Sequence, residues 1–64
     1  MKVQDIKDNM ICVGDYIDED GSFCKIRNLE IHSDTDATVV LVGGGVMSIQ
    51  DVSEDMIYLE SEIA

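Results

Sequence analysis

The sequence contains no proline, no linker, no low-complexity stretch and no internal repeat. Nothing in it marks a boundary between domains or a repeat array. Basic side chains are scarce: four Lys/Arg stand against fourteen Asp/Glu in 64 residues, a formal charge of −10. A protein that grips phosphates displaces condensed counterions with a Lys/Arg surface, so this deficit tells against direct nucleic-acid binding. The two cysteines, Cys12 and Cys24, are too few for the disulfide framework of a small secreted domain. Long apolar runs are also missing. The longest, Val39 to Met47, is interrupted by Gly43, Gly44 and Gly45 and is far too short to span a bilayer. The start Met1-Lys2-Val3-Gln4-Asp5 lacks the apolar region of a secretory signal, and the negative charge disfavours anionic membrane surfaces. A soluble, cytoplasmic protein is expected.

What is present is a chain at the lower size limit of an independent domain. Ordering 64 residues at roughly 1.5 kcal/mol each opposes folding by about 100 kcal/mol, so nearly every apolar side chain must be buried. Little remains to wall a deep catalytic pocket. The hydrophobic content of 45% is ordinary for a folded protein and tells against disorder despite the charge. Residues 1–64 are read as one small domain.

The pattern along the chain is one of short strands and turns. Residues 10–18 are rich in strand formers and stop at Glu19-Asp20-Gly21-Ser22, where Asp-Gly signals a hairpin. Residues 22–32 follow as the longest strand, and their alternation changes phase: Cys24 and Ile26 share one face, Leu29 and Ile31 the other. One slip at Asn28 repairs it, as a β-bulge does when it bends a long strand. A hairpin turning near Glu19-Asp20 sets Cys12 opposite Arg27, three positions or about 10 Å from Cys24, beyond the ~7 Å limit for a bridge. Two reduced thiols are expected.

Ser33-Asp34-Thr35-Asp36 reads as a polar turn. Thr38 to Val42 is almost wholly β-branched and reads as a central, well-buried strand. Gly43-Gly44-Gly45 makes a tight reversal, and Val46 to Gln50 continues as a strand. Asp51-Val52-Ser53-Glu54 has capping-box spacing and predicts a short helical turn. Met56 to Glu60 closes the set, and Val3, Ile6 and Met10 lie at helical spacing near the start. The expected fold is all-β: a small, five-stranded, partly open barrel with a helical turn before the last strand. The order Val13-Gly14-Asp15-Tyr16-Ile17, Asp20-Gly21, Lys25-Ile26, a β hairpin and then Ile49 to Leu59 resembles the small SH3-like β-barrel proteins of bacterial and phage genomes over about three quarters of the chain. That resemblance implies an architecture and a non-enzymatic role, and it carries over no active site.

The motifs that invite chemistry fail on inspection. Acids at alternate positions before Gly21 suggest a calcium loop, yet aligning Gly21 with the loop glycine puts Tyr16 at the first ligand position and Arg27 where a bidentate Glu is needed. The triple glycine lacks a Lys-Ser/Thr pair and a following helix, so it reads as a hairpin turn rather than a phosphate loop. His32 with Cys12 or Cys24 provides neither four zinc ligands in close pairs nor the electropositive surroundings that activate a thiol. No cofactor, metal or enzymatic activity is expected.

The acids themselves therefore carry the functional reading. In an up-and-down meander successive turns alternate between two ends. The 33–36 turn, the 51–55 connection and residues 5–8 then share one end, gathering Asp5, Asp8, Asp34, Asp36, Asp51, Glu54 and Asp55 against Lys2 and Lys7. The other end holds a second acidic tip, Asp18, Glu19 and Asp20. Such a pole suits a protein partner with a basic surface, and Asp34, Asp36, Asp51, Glu54 and Asp55 are its predicted contacts. Two alternatives remain. One is a nucleic-acid mimic of the kind phages use to inhibit host nucleases or DNA-binding proteins: a domain roughly 28 Å across matches duplex carrying about 16 phosphate charges. The other is a homo-oligomeric accessory protein whose exposed strand edges or apolar face complete its core.

Overall fold

A two-residue turn sets the first hairpin. Asp20 and Gly21 have φ of 50° and 84°, the left-handed pair that a type I′ loop requires, and the Gly21 N–H donates to Asp18 Oδ1 at 3.1 Å. The computed structural model, which describes residues 1–63, accordingly pairs β1 (Tyr16–Glu19) with β2 (Ser22–Ile31) antiparallel, Tyr16 opposite Lys25 and Glu19 opposite Ser22. The loop is Asp20-Gly21 rather than Glu19-Asp20, so the expected register is corrected. β1 is also shorter than residues 10–18. Gly14 has φ 98° and Asp15 Oδ2 accepts the Cys12 N–H at 3.0 Å, so the chain turns before Tyr16 and Cys12 lies outside the strand. Both cysteines are free and half-buried, and Cys24 packs against the core.

β2 serves two neighbours. Ser22 to Lys25 pair with β1, and the remainder pairs with β3 (Ala37–Leu41). Ile26 faces Leu41 while Asn28 faces Val40, so Arg27 is the extra residue of a bulge, one residue before the Asn28 slip that the change of phase predicted. Beyond it Leu29 lies opposite Val39 and Ile31 opposite Ala37. The bulge thus returns two apolar residues to the side on which Val39 and Ala37 are buried, which strict alternation would have given to Asn28 and Glu30.

β3 alternates instead of being buried on both faces: Ala37, Val39 and Leu41 are buried, Thr38 and Val40 half-buried. Gly43 and Gly44, at φ 103° and 96°, turn it into β4 (Val46–Ser48). The expected strand from Val46 to Gln50 ends early because Ile49–Asp51 winds into a 3-10 turn. The anticipated helical turn before the last strand lies at Glu54–Met56, with Ser53 as its N-cap residue, two residues later than an Asp51 cap would put it. β5 is only Ile57–Tyr58, paired with β1; of the expected strand Met56 to Glu60, Met56 belongs to the preceding 3-10 turn and Glu60 opens a helical turn, Glu60–Ile63. The Leu59 N–H donates to Glu62 Oε1 at 2.9 Å there. The strand order is β4-β3-β2-β1-β5, five antiparallel strands in an open sheet, so the all-β fold class is found.

The predicted N-terminal turn is a five-residue helix, α1 (Val3–Lys7). Asp5 Oδ2 accepts the Lys2 N–H at 2.7 Å, and the helix closes with Asn9 N–H to Ile6 O and Met10 N–H to Asp5 O. Those two bonds, with Asn9 at φ 60°, form a Schellman end. Met10 falls beyond it and is 46% exposed. The core is wholly aliphatic: Val3, Ile11, Ile17, Ile26, Ala37, Val39, Leu41, Ile49 and Val52. The radius of gyration of 10.7 Å matches the ~11 Å of a compact chain of this length.

Candidate functional site

The acidic positions follow from the turns that carry them. Asp34 and Asp36 sit in the connection between β2 and β3, where the N–H groups of His32 and Ser33 both donate to Asp36 O. Gln50, in the 3-10 turn that includes Asp51, donates from Nε2 to Thr35 O at 3.3 Å. The Met1 amine donates to Ile49 O and Val52 O. A shallow recess of about 450 Å³ is lined by Met1, Lys2, Val3, Asp34, Thr35 and Gln50. The chain start, the 33–36 turn and the Ile49–Asp51 turn therefore meet. Glu54 and Asp55 lie on the next turn, which packs against β1, and Asp18, Glu19 and Asp20 belong to the β1–β2 hairpin. All five predicted contacts, Asp34, Asp36, Asp51, Glu54 and Asp55, are exposed, as are Glu19 and Asp20; Asp18 is half-buried.

Their electrostatic setting is simple. Among the described residues the carboxylates that accept hydrogen bonds take them from backbone amides or from Gln4, never from lysine or arginine. The negative charge is consequently left to solvent or to a partner. No group of three or more His, Cys, Asp or Glu among the described residues is placed to hold a metal ion. His32 is exposed, with Nε2 2.9 Å from Thr38 Oγ1. The Cys12 thiol donates to Asn9 O at 3.5 Å. The two thiols are half-buried.

Sequence reading overlooked a second surface. With Ile17, Ile26 and Ile57 directed to the core, the pleat turns Tyr16, Asp18, Phe23, Lys25 and Tyr58 to the other face. The Phe23 and Tyr58 rings meet edge to face, centroids 5.2 Å apart. Lys25 Nζ lies 5.9 Å from the Tyr16 ring centroid. Half of this was readable from the Asp20-Gly21 loop, which fixes Lys25 opposite Tyr16 and Phe23 opposite Asp18. The pairing of β5 with β1, which adds Tyr58, spans some forty residues of chain and has no local signal.

No helix among the described residues is long and apolar enough to cross a membrane. Comparison with protein-family models, with curated proteins and with solved structures finds no match to this chain.

Proposed function

We propose that this chain is a small SH3-like barrel acting as a non-enzymatic module that binds a basic protein surface through its acidic turns. The barrel reading is supported by the strand order, by a bulged β2 that pairs on both sides and by the helical turn just before β5. One observation carries the functional reading: fourteen acids against four basic residues, with no basic side chain hydrogen-bonded to a carboxylate among the described residues. Unpaired charge at this density steers basic partners and repels acidic ones. A monomeric unit is the preferred form. Its accessible surface of 4056 Å² is close to the roughly 4,100 Å² expected of a compact monomer of this mass, which supports that reading.

The test is an affinity capture from lysate with the wild type beside a variant carrying Asp34→Asn, Asp36→Asn, Asp51→Asn, Glu54→Gln and Asp55→Asn, followed by titration of the captured partner at rising ionic strength. The expected result is a partner held by the wild type, weakened at least tenfold in the variant, and bound less tightly as salt screens the charges. Affinity indifferent to salt would refute the electrostatic mechanism. Capture of a nuclease or DNA-binding protein that duplex DNA displaces would turn the reading to nucleic-acid mimicry. Over the molecule's longest extent of 33 Å a duplex carries about 19 charges over both strands, against fourteen side-chain carboxylates in the whole chain.

A further inference from the structure

All the aromatic side chains of the chain, two tyrosines and one phenylalanine with no tryptophan, lie on the same outer sheet face, and none enters the core. A domain this small has few large apolar groups, and each aromatic ring can bury ~150–250 Å². Here the core is filled by aliphatics, and the rings face outward on three adjacent strands: Phe23 on β2, Tyr16 on β1 and Tyr58 on β5. Strands β2 and β5 flank β1 and so stand about 10 Å apart. With centroids 5.2 Å apart, Phe23 and Tyr58 arch over the central strand. Phe23 remains 48% exposed, and Tyr16 and Tyr58 are half-buried.

The charges around this face select what it can receive. Asp18 stands on it, opposite Phe23, and Glu19 and Asp20 continue into the adjoining turn. The face's own cation, Lys25, is already over the Tyr16 ring. An anionic segment would meet these acids and a net charge of −10. A segment pairing an aliphatic side chain with an arginine or lysine meets rings on which both can rest, because a guanidinium or ammonium is attracted to an aromatic face, with carboxylates beside them.

We propose that the outer face of β2, β1 and β5, centred on Tyr16, Phe23 and Tyr58, is the docking surface for a cationic, aliphatic segment of a partner protein. This rests on the reading of a basic partner, and moves its main contact from the 34–55 acids to the aromatic face. Asp18 on the face and Asp20 in the adjoining turn supply attraction at the rim, and the rings supply the desolvated centre where binding energy concentrates. Lys25 competes with the incoming cation for the Tyr16 ring.

The test is an NMR titration of the intact protein with three short synthetic peptides, alternating arginine with leucine, arginine with glycine, and glutamate with leucine. The expected result is that the arginine–leucine peptide binds most tightly and shifts the resonances of Tyr16, Phe23, Lys25 and Tyr58. Phe23→Ser, checked for folding by its thermal transition, should weaken it roughly threefold to tenfold. Lys25→Gln leaves every ring in place and should tighten binding about twofold to fivefold, more than Lys7→Gln, which removes the same charge from α1. Shifts confined to Asp34, Asp36, Asp51, Glu54 and Asp55, with both arginine peptides equal, would overturn the aromatic face while leaving the acidic-turn reading intact. Equal binding of the glutamate–leucine peptide would overturn the cationic partner. Equal effects of Lys25→Gln and Lys7→Gln would overturn the competition at Tyr16, and binding of none of the peptides would overturn the proposal together with the reading beneath it.

Discussion

The triple glycine shows how far single residues differ inside one turn. Gly43 and Gly44 have φ of 103° and 96°, where a Cβ strains the backbone. Gly45 lies outside that region, and a Cβ added there would meet Leu41 Cδ1 at 3.5 Å, an ordinary contact. Gly44→Ala should therefore destabilise the protein by about 1–2 kcal/mol, whereas Gly45→Ala should be neutral or stabilising by up to ~1 kcal/mol through a less flexible unfolded chain. Urea unfolding of the two variants checks this, and equal losses would contradict it. The sequence announced a reversal at 43–45 but not which glycine needed its freedom, since φ follows from how Leu41 N–H reaches Gly45 O. The acids resemble the glycines in this respect. Their types and spacing were readable, while the half-burial of Asp18 beside Phe23 depended on register.

At the scale of elements, local signals succeeded where partner groups were close in sequence. The slip beside Asn28 was legible from the alternation of β2 alone, although its partners Leu41 and Val40 lie on β3. The Asp-Gly loop of the first hairpin and the turn before β5 rest on contacts within a few residues, and sequence reading found both, the loop one residue early and the turn two. α1 is of this kind: its five residues are too few for propensity to sustain, and its ends hold it. Asp5→Ala removes the acceptor of the Lys2 N–H and should cost about 1 kcal/mol, measured as a lower urea midpoint; no change would mean that packing of Val3 alone fixes the helix. Elements misjudged from sequence failed for tertiary reasons. Residues 10–15 have strand composition, yet Asp15 caps Cys12 N–H and diverts the chain. β5 shrank to Ile57–Tyr58 because only those residues find partners on β1, and the residues after Leu59 wind into a turn instead.

For the whole molecule, charge dominates. A net −10 over extents of 33 × 23 × 17 Å places carboxylates within about a Debye length of one another at ~0.1 M salt. The folded state carries this self-repulsion, which expansion relieves. Raising sodium chloride from about 0.02 M to 0.5 M should raise the melting temperature by several degrees, equivalent to roughly 1 kcal/mol for a chain of this size. A melting temperature that falls, or stays level, would show that native attractions outweigh the repulsion.

Composition and local pattern alone determined that this is an acidic all-β chain with a bulged long strand and tight Gly turns. These depend on side-chain type, on turn stereochemistry and on the two-residue period of a strand, all of which act over a few residues. Only the tertiary structure decided that β5 closes on β1, that the core takes aliphatics alone, and that Tyr16, Phe23 and Tyr58 consequently share an outward face. The physical reason is that a pleated strand has two equivalent sides. Which side becomes core is chosen by burial summed over strands distant in sequence, and for β1 and β5 that choice went to Ile17 and Ile57, leaving the rings outside.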